Sequence, residues 1–124
     1  MSKEGNGNPA FDLEERTAKF GEAVIAFAKS VPVNDVTRCL ISQLVRAATS
    51  VGANYVEADD ADSRKDFKFK IGLCRREAKE TKHHLRMIVA AEKRMRDAAK
   101  PVWREAQELN LIFSAIRKKL EVGH

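Results

Sequence analysis

Cysteine, proline and aromatic residues are scarce in this sequence. Its 124 residues include two cysteines, three prolines, one tryptophan and one tyrosine. Two separate cysteines do not make the disulfide framework of a small secreted domain. Cys39 and Cys74 both fall within apolar helical patterns, so we expect buried thiols in a reducing compartment. With few prolines and six glycines, the composition favours long helices over strands and turns.

A long hydrophobic run is also missing. The longest apolar stretch covers residues 23–28, whereas a membrane span needs roughly 20 such residues. No apolar segment followed by a cleavage site stands at the N-terminus, so no secretion signal is predicted. These absences predict a soluble cytoplasmic protein. Residues 1–10 are small, polar and rich in glycine, and they are predicted to be a disordered tail before one domain at residues 11–122.

Motifs for catalysis and cofactor binding are absent as well. The mid-chain glycines are isolated, so there is no glycine-rich phosphate loop. A di-iron bundle needs two Glu-x-x-His pairs, and this chain has one, Glu80 with His83. A metal site around Glu80, His83 and His84 is the enzymatic alternative. The pattern favours polar residues near a subunit contact, and we predict a protein without enzymatic activity, cofactor or metal.

Four stretches have apolar residues at alternating steps of three and four, the spacing of one helix face. Cap residues and prolines place their starts near Asp12, after Asn34 or Asp35, at Asp62 or Ser63, and near Pro101. The third helix is predicted to run to about Ala98. Joined by short connections, the four predict an all-α, antiparallel, up-down-up-down four-helix bundle.

Helices three and four carry more apolar residues than one bundle can bury. Contiguous exposed apolar residues usually form a partner surface, and identical subunits in closed symmetry are the commonest solution. We therefore predict a symmetric homo-oligomer, with isolated surface apolar residues as the alternative. The predicted interface residues are Phe69, Leu73, Met87, Leu111 and Ile112.

Positive charge is concentrated in one segment. Residues 63–100 hold thirteen Lys and Arg against five Asp and Glu, although the whole chain carries +5. Six cations of helix three share a stripe about 100° from its apolar seam, and such a stripe can neutralise phosphates along a nucleic-acid backbone. A solvated face, or a salt-bridge ladder with the nearby Glu77 and Glu80, is the alternative. The stripe consists of Lys68, Arg75, Lys79, Lys82, Arg86 and Lys93.

An ordered run of motifs resembles a known protein family. The motifs are QLVRA at residues 43–47, SVGANYVEA at 50–58, SRKDF at 63–67 and EAKET at 77–81. They resemble the bacterial four-helix-bundle family that includes proteins encoded by intervening sequences in large-subunit ribosomal RNA genes. The accessory variability protein of diversity-generating retroelements is a more distant relative.

The resemblance implies a four-helix bundle without catalytic residues, assembled as a barrel-like homopentamer. For the retroelement relative it implies a basic surface and nucleic-acid binding. Seven polar positions match the family pattern, and we predict that they form a buried network fixing helix register, because buried polar groups must be paired. Ligand binding is the alternative. These positions are Gln43, Arg46, Asn54, Glu57, Asp66, Lys70 and Glu80.

Two functional hypotheses follow. The first is a non-enzymatic oligomeric scaffold that contacts RNA or DNA through the cations of helix three. The second is a protein–protein interaction module without a nucleic-acid role, whose basic stripe binds an acidic partner. Neither hypothesis involves a membrane.

Overall fold

A computed structural model describes residues 12–122, and within them the chain forms four long α-helices and no strand. The predicted tail at residues 1–10 lies outside the described residues. The all-α four-helix bundle predicted from the apolar spacing is confirmed. The helices are α1 (Leu13–Ser30), α2 (Asp35–Asp59), α3 (Arg64–Ala91) and α4 (Arg96–Val122), with a 3-10 turn at Lys93–Met95 between the last two.

Side-chain caps set the starts of the first three helices. The Asp12 carboxylate accepts a hydrogen bond of 3.3 Å from the backbone N–H of Glu15. At the start of α2, Asn34 and Thr37 each accept a bond of 2.9 Å from the other's backbone N–H. The Ser63 hydroxyl caps α3 by accepting a hydrogen bond of 3.0 Å from the backbone N–H of Asp66. Each cap satisfies N–H groups that a first helical turn leaves without partners, and the predicted starts of these helices are confirmed.

The predicted boundary between the third and fourth helices is wrong. α3 ends at Ala91, not Ala98, and α4 begins at Arg96, not near Pro101. The chain leaves helical geometry at Glu92, with φ −144° and ψ 85°. The short turn that follows buries Met95 to 7% exposure and reverses the chain. Pro101 is therefore the sixth residue of α4, where its missing N–H removes one helical hydrogen bond.

Ion pairs between neighbouring helices establish their antiparallel order. Arg46 of α2 pairs with Glu77 and Glu80 of α3, whereas Glu57, farther along α2, pairs with the earlier Lys70. Residue numbers therefore rise on one helix as they fall on the other. The same reversal joins α3 to α4 in the pairs Lys68–Glu121 and Lys82–Gln107.

The core lies along the bundle axis and is built from the predicted seams. Thr17 and Thr81 are polar members of it, and their hydroxyls donate to the carbonyls of the residues four positions earlier, at 2.6 and 2.8 Å. These bonds satisfy polar groups that burial would otherwise leave unpaired. The largest side chains exposed by 2% or less are apolar: Phe20, Phe113, Leu44, Ile71, Leu85, Ile88, Leu109, Val24 and Val51.

The two cysteines differ in environment. Cys74 is buried between α3 and α2, where its Sγ lies 3.6 Å from the Val51 carbonyl. Burial raises the pKa of the Cys74 thiol to about 12, so the thiol stays protonated near neutral pH. Cys39 is exposed, and the prediction that it is buried is wrong. Ile41 packs against the core. Cys39 lies two positions earlier, about 200° round the helix, and therefore points away from the core.

Candidate nucleic-acid interface

Two acidic side chains of α3, those of Glu77 and Glu80, pair with Arg46 of α2. Arg46 Nη1 lies 3.5 Å from Glu77 Oε1, and Arg46 Nη2 lies 3.3 Å from Glu80 Oε1. These pairs cross to a neighbouring helix, so neither glutamate is engaged with the cations of the basic stripe. Within one chain, the described residues therefore do not form a ladder between these glutamates and the stripe; a ladder between subunits stays a prediction.

An acidic residue of α4 is directed away from α3 as well. Glu105 accepts two hydrogen bonds from Arg16 of α1, at 2.7 Å to Nε and 2.9 Å to Nη2. This two-point geometry is the strong form of a carboxylate–guanidinium pair. The hydrogen bond raises the pKa of Arg16. The three carboxylates of these pairs are thus held on the α2–α3 and α1–α4 faces. Two others, Glu121 and Asp97, pair with Lys68 and Lys100 on the face between α3 and α4, where cations still outnumber carboxylates.

A groove between α3 and α4 contains two hollows, and each combines cations with one aromatic side chain. The first, named here the Phe69 hollow, has a volume of about 320 Å³, and the second, the Trp103 hollow, about 230 Å³. The Phe69 hollow is lined by Lys65, Lys68, Phe69, Gly72, Leu73, Arg75, Arg76 and Arg117. The Trp103 hollow is lined by Leu85, Arg86, Val89, Arg96, Ala99, Lys100 and Trp103.

The Phe69 hollow has five cationic side chains and, among residues 12–122, no carboxylate in its lining. Glu121 approaches its edge, with Oε2 3.8 Å from Lys68 Nζ. Gly72 leaves space for Arg117, because a Cβ there would lie 3.3 Å from Arg117 Nε. Arg75 Nε is buried without a hydrogen-bond partner in the described chain. With five cations and one carboxylate at its edge, the hollow carries a net positive charge.

Polar contacts between the two hollows hold α4 against the stripe. Lys82 Nζ donates to Gln107 Oε1 and lies 5.2 Å from the centre of the Trp103 ring. Asn110 Nδ2 donates to the Arg75 carbonyl at 2.9 Å. These contacts bridge α3 and α4 between the two hollows and fix the helix register along the groove that contains both.

Five of the six predicted stripe residues lie on α3, and the sixth does not. Lys68, Arg75 and Lys82 are half-buried against α4, whereas Lys79 and Arg86 are exposed. Lys93 belongs to the 3-10 turn after α3, so its placement on the helical stripe is wrong. The break at Glu92 removes the helical phase on which that placement depended.

Sequence reasoning missed the cations that α4 contributes to this groove. Arg96 and Lys100 line the Trp103 hollow, and Arg117 lines the Phe69 hollow. A signal for them is present in the sequence. Polar and aromatic residues repeat at steps of four, three, four, three and seven beside the apolar seam of α4, at Arg96, Lys100, Trp103, Gln107, Asn110 and Arg117.

The predicted polar network is not buried. None of its seven members is a buried residue, and two separate sets of ion pairs form instead. One centres on Arg46, and the other joins Lys70 Nζ to Glu57 Oε1 at 2.5 Å, which raises the pKa of Lys70. The residues flank the α2–α3 seam, where exposed pairs of this kind add little to stability.

Within the described part of the chain, the other three predicted network residues form no ion pair with a neighbouring helix. Asn54 donates to the Ser50 carbonyl of its own helix at 2.9 Å. The Asp66 backbone N–H donates to the Ser63 cap at 3.0 Å. Gln43 is exposed. A role of the seven residues in helix register, or in ligand binding, stays a prediction.

The five apolar residues assigned to an oligomer interface are not equally available. Phe69 and Leu111 are 61% and 52% exposed. Leu73 and Met87 are half-buried, and Ile112 packs against the core of its own bundle. The expectation that all five are left uncovered by the bundle is therefore wrong, because helix α4 turns Ile112 inward.

Among the described residues, His83 and His84 do not form a metal site with their neighbours. The rings of His83 and His84 lie 5.7 Å apart, and burial, followed by the charge of His83, lowers the pKa of His84. Within residues 12–122 no group of three or more His, Cys, Asp or Glu side chains is placed to hold a metal ion. No helix of that range is long and apolar enough to cross a membrane.

Comparison with known proteins places this bundle in a family. No match was found among curated proteins. The chain is similar to a protein of unknown function from the S23 ribosomal protein family of Bacteroides thetaiotaomicron, whose crystal structure was determined at 1.70 Å. The TM-score is 0.76 at 28% identity, over 86% of this chain and 95% of that one. Residues 11–115 match the family described as 23S rRNA-intervening sequence protein, and the chain therefore belongs to that family.

Proposed function

We propose that this protein is a non-enzymatic scaffold that binds nucleic acid, RNA in particular, through the α3–α4 groove. One observation supports the proposal most: eight cations from two helices line the α3–α4 groove, and among the described residues only two of them, Lys68 and Lys100, are paired with carboxylates, those of Glu121 and Asp97. The family description, 23S rRNA-intervening sequence protein, names an RNA, and for that reason we propose RNA in particular as the ligand.

Binding in this groove depends on phosphates and not on base identity. Flexible lysines and forked arginine guanidiniums both bind phosphate oxygens. Such contacts position a strand but do not read its sequence. The protein consequently holds RNA of many sequences, as a scaffold requires.

We expect RNA binding to weaken steeply as salt concentration rises. Each phosphate contact on a single strand contributes about −0.7 to the slope of log K against log salt, so about four contacts give a slope near −3. Affinity then falls about 50-fold between about 50 and 200 mM salt. Fluorescence anisotropy with a labelled RNA measures this slope. An absence of binding at the lowest salt would contradict the proposal and leave the protein-interaction alternative.

We further propose that the chain assembles with copies of itself, as the homopentamer that the family resemblance implies. Like charge on the α3–α4 groove opposes its burial between subunits, so we assign the contact to the groove between α1 and α2. Small residues line that 280 Å³ groove, including Gly21, Gly52 and Ala53. The apolar side chains of Ile25 and Val56 stand at its edge, 41% and 52% exposed.

Light scattering tests the assembly directly. Five chains of 13.9 kDa give a particle of about 70 kDa. The substitution Val56→Lys places a charge at the α1–α2 groove and is expected to lower the measured mass. The matched substitution Val36→Lys, at a residue that is 64% exposed near the start of α2, should leave it unchanged. A monomeric mass for the unaltered chain would refute the assembly.

A further inference from the structure

We propose that the α3–α4 groove binds single-stranded RNA, with one base stacked on Phe69 and another stacked on Trp103. This inference rests on the proposed nucleic-acid function and goes beyond it, because phosphate contacts alone do not distinguish a single strand from a duplex. Aromatic platforms within a cationic groove are the means by which proteins bind unpaired bases without strong sequence preference.

The Phe69 ring is placed as such a platform. Phe69 is 61% exposed, so it adds little to the core, and its ring is accessible to a base. Lys65, Lys68, Arg76 and Arg117 surround it in one hollow. A base on the ring would bring its phosphates within reach of these four cations.

Trp103 presents a second platform at the other hollow. Trp103 is 41% exposed. The Lys82 Nζ atom lies 5.2 Å from the centre of its ring. Arg86, Arg96 and Lys100 line the same hollow. This arrangement repeats the first: one exposed ring beside several cations.

The distance between the two platforms suits a short single strand. The Lys82–Gln107 contact sets the register and places Trp103 opposite about residue 86 of α3. Seventeen residues of helix then separate the level of Trp103 from Phe69, or about 26 Å at 1.5 Å per residue. A stacked strand advances about 3.4 Å per nucleotide, so about eight nucleotides cover the groove, within the usual site sizes of single-strand binders. A duplex keeps its base faces stacked inside and offers none to either ring.

The test compares a single-stranded RNA of about 12 nucleotides with the duplex of the same sequence, by anisotropy at low salt. We expect the single strand to bind more tightly. Phe69→Ala and Trp103→Ala should each weaken single-strand binding by about 5- to 150-fold, the range for loss of one stacked base. The salt slope should not change, because the phosphate contacts remain. Phe69→Tyr and Trp103→Phe should restore binding.

Val36→Ala is the matched control, since it truncates an apolar side chain that is 64% exposed on another part of the bundle; it should bind as the unaltered chain does. Equal affinity for the duplex and the single strand would overturn the inference. So would unaltered single-strand binding by both alanine variants. In either case salt-dependent binding would persist and the proposed function would stand, whereas a chain that binds no RNA at all fails the proposed function itself.

Discussion

Reversing two exposed cations of the basic stripe along the groove, by Lys79→Glu with Arg86→Glu, is expected to weaken RNA binding by at least about 25-fold at about 0.1 M salt. Each lost phosphate contact removes about 0.7 decade of affinity at that concentration through lost counterion release, and two contacts remove about 1.4 decades. Repulsion between the new carboxylates and the phosphates adds to this loss. The salt slope should become shallower by about 1.4. Anisotropy titrations at several salt concentrations measure both quantities.

A second double charge reversal tests whether the loss of RNA affinity depends on the position of the cations or only on the net charge. Lys19 and Lys29 are exposed residues of α1, and Lys19→Glu with Lys29→Glu changes the net charge by the same amount. Screening limits interactions between exposed charges to about 10 Å at about 0.1 M salt, so this control should change affinity little. If the two double variants lose affinity equally, the protein binds RNA through its net charge and the groove has no special role.

The sequence is sufficient to predict those parts of the fold that depend on local chemistry. Asp12 and Asn34 cap their helices where their side chains predict it, since a cap bonds to N–H groups two or three residues away. The end of α3 could not be predicted in this way. Residues 92–100 include two alanines and four lysines and arginines, all good helix formers. The break there depends on burial of Met95 in the bundle, a tertiary effect.

The candidate site was predictable only in its α3 half. The spacing of Arg75, Lys79 and Lys82 gives the stripe directly, because helical phase is a local property. Which helix faces that stripe depends on the handedness and register of the bundle, and the spacing of one helix contains neither. The pairing of Glu77 with Arg46 depends on how α2 packs against α3, and the position of Arg117 in the Phe69 hollow depends on how α4 packs against α3. The side chains that two helices bring together in one site are therefore determined by tertiary packing.

Truncating the central aromatic residue of the bundle, by Phe113→Ala, is expected to have the largest effect on stability. Phe113 is 0% exposed, and its ring lies 6.1 Å from that of Tyr55. Its removal from α4 leaves a cavity among residues of the other helices, and such substitutions cost about 3–5 kcal/mol in the free energy of unfolding. This is a large part of the about 5–15 kcal/mol that stabilises a typical domain.

The same substitution at Phe69 shows whether the loss of stability comes from burial or from the loss of a phenylalanine as such. Phe69 is 61% exposed, and Phe69→Ala should change the free energy of unfolding by about 0.5 kcal/mol or less. Urea denaturation followed by circular dichroism measures both variants; the midpoint of Phe113→Ala should fall well below that of the unaltered chain, with a similar m-value. Equal losses in the two variants would mean that Phe69 is covered in the native protein. The Phe69 ring would then belong to a subunit contact, and the stacking platform proposed for the α3–α4 groove would have to be abandoned.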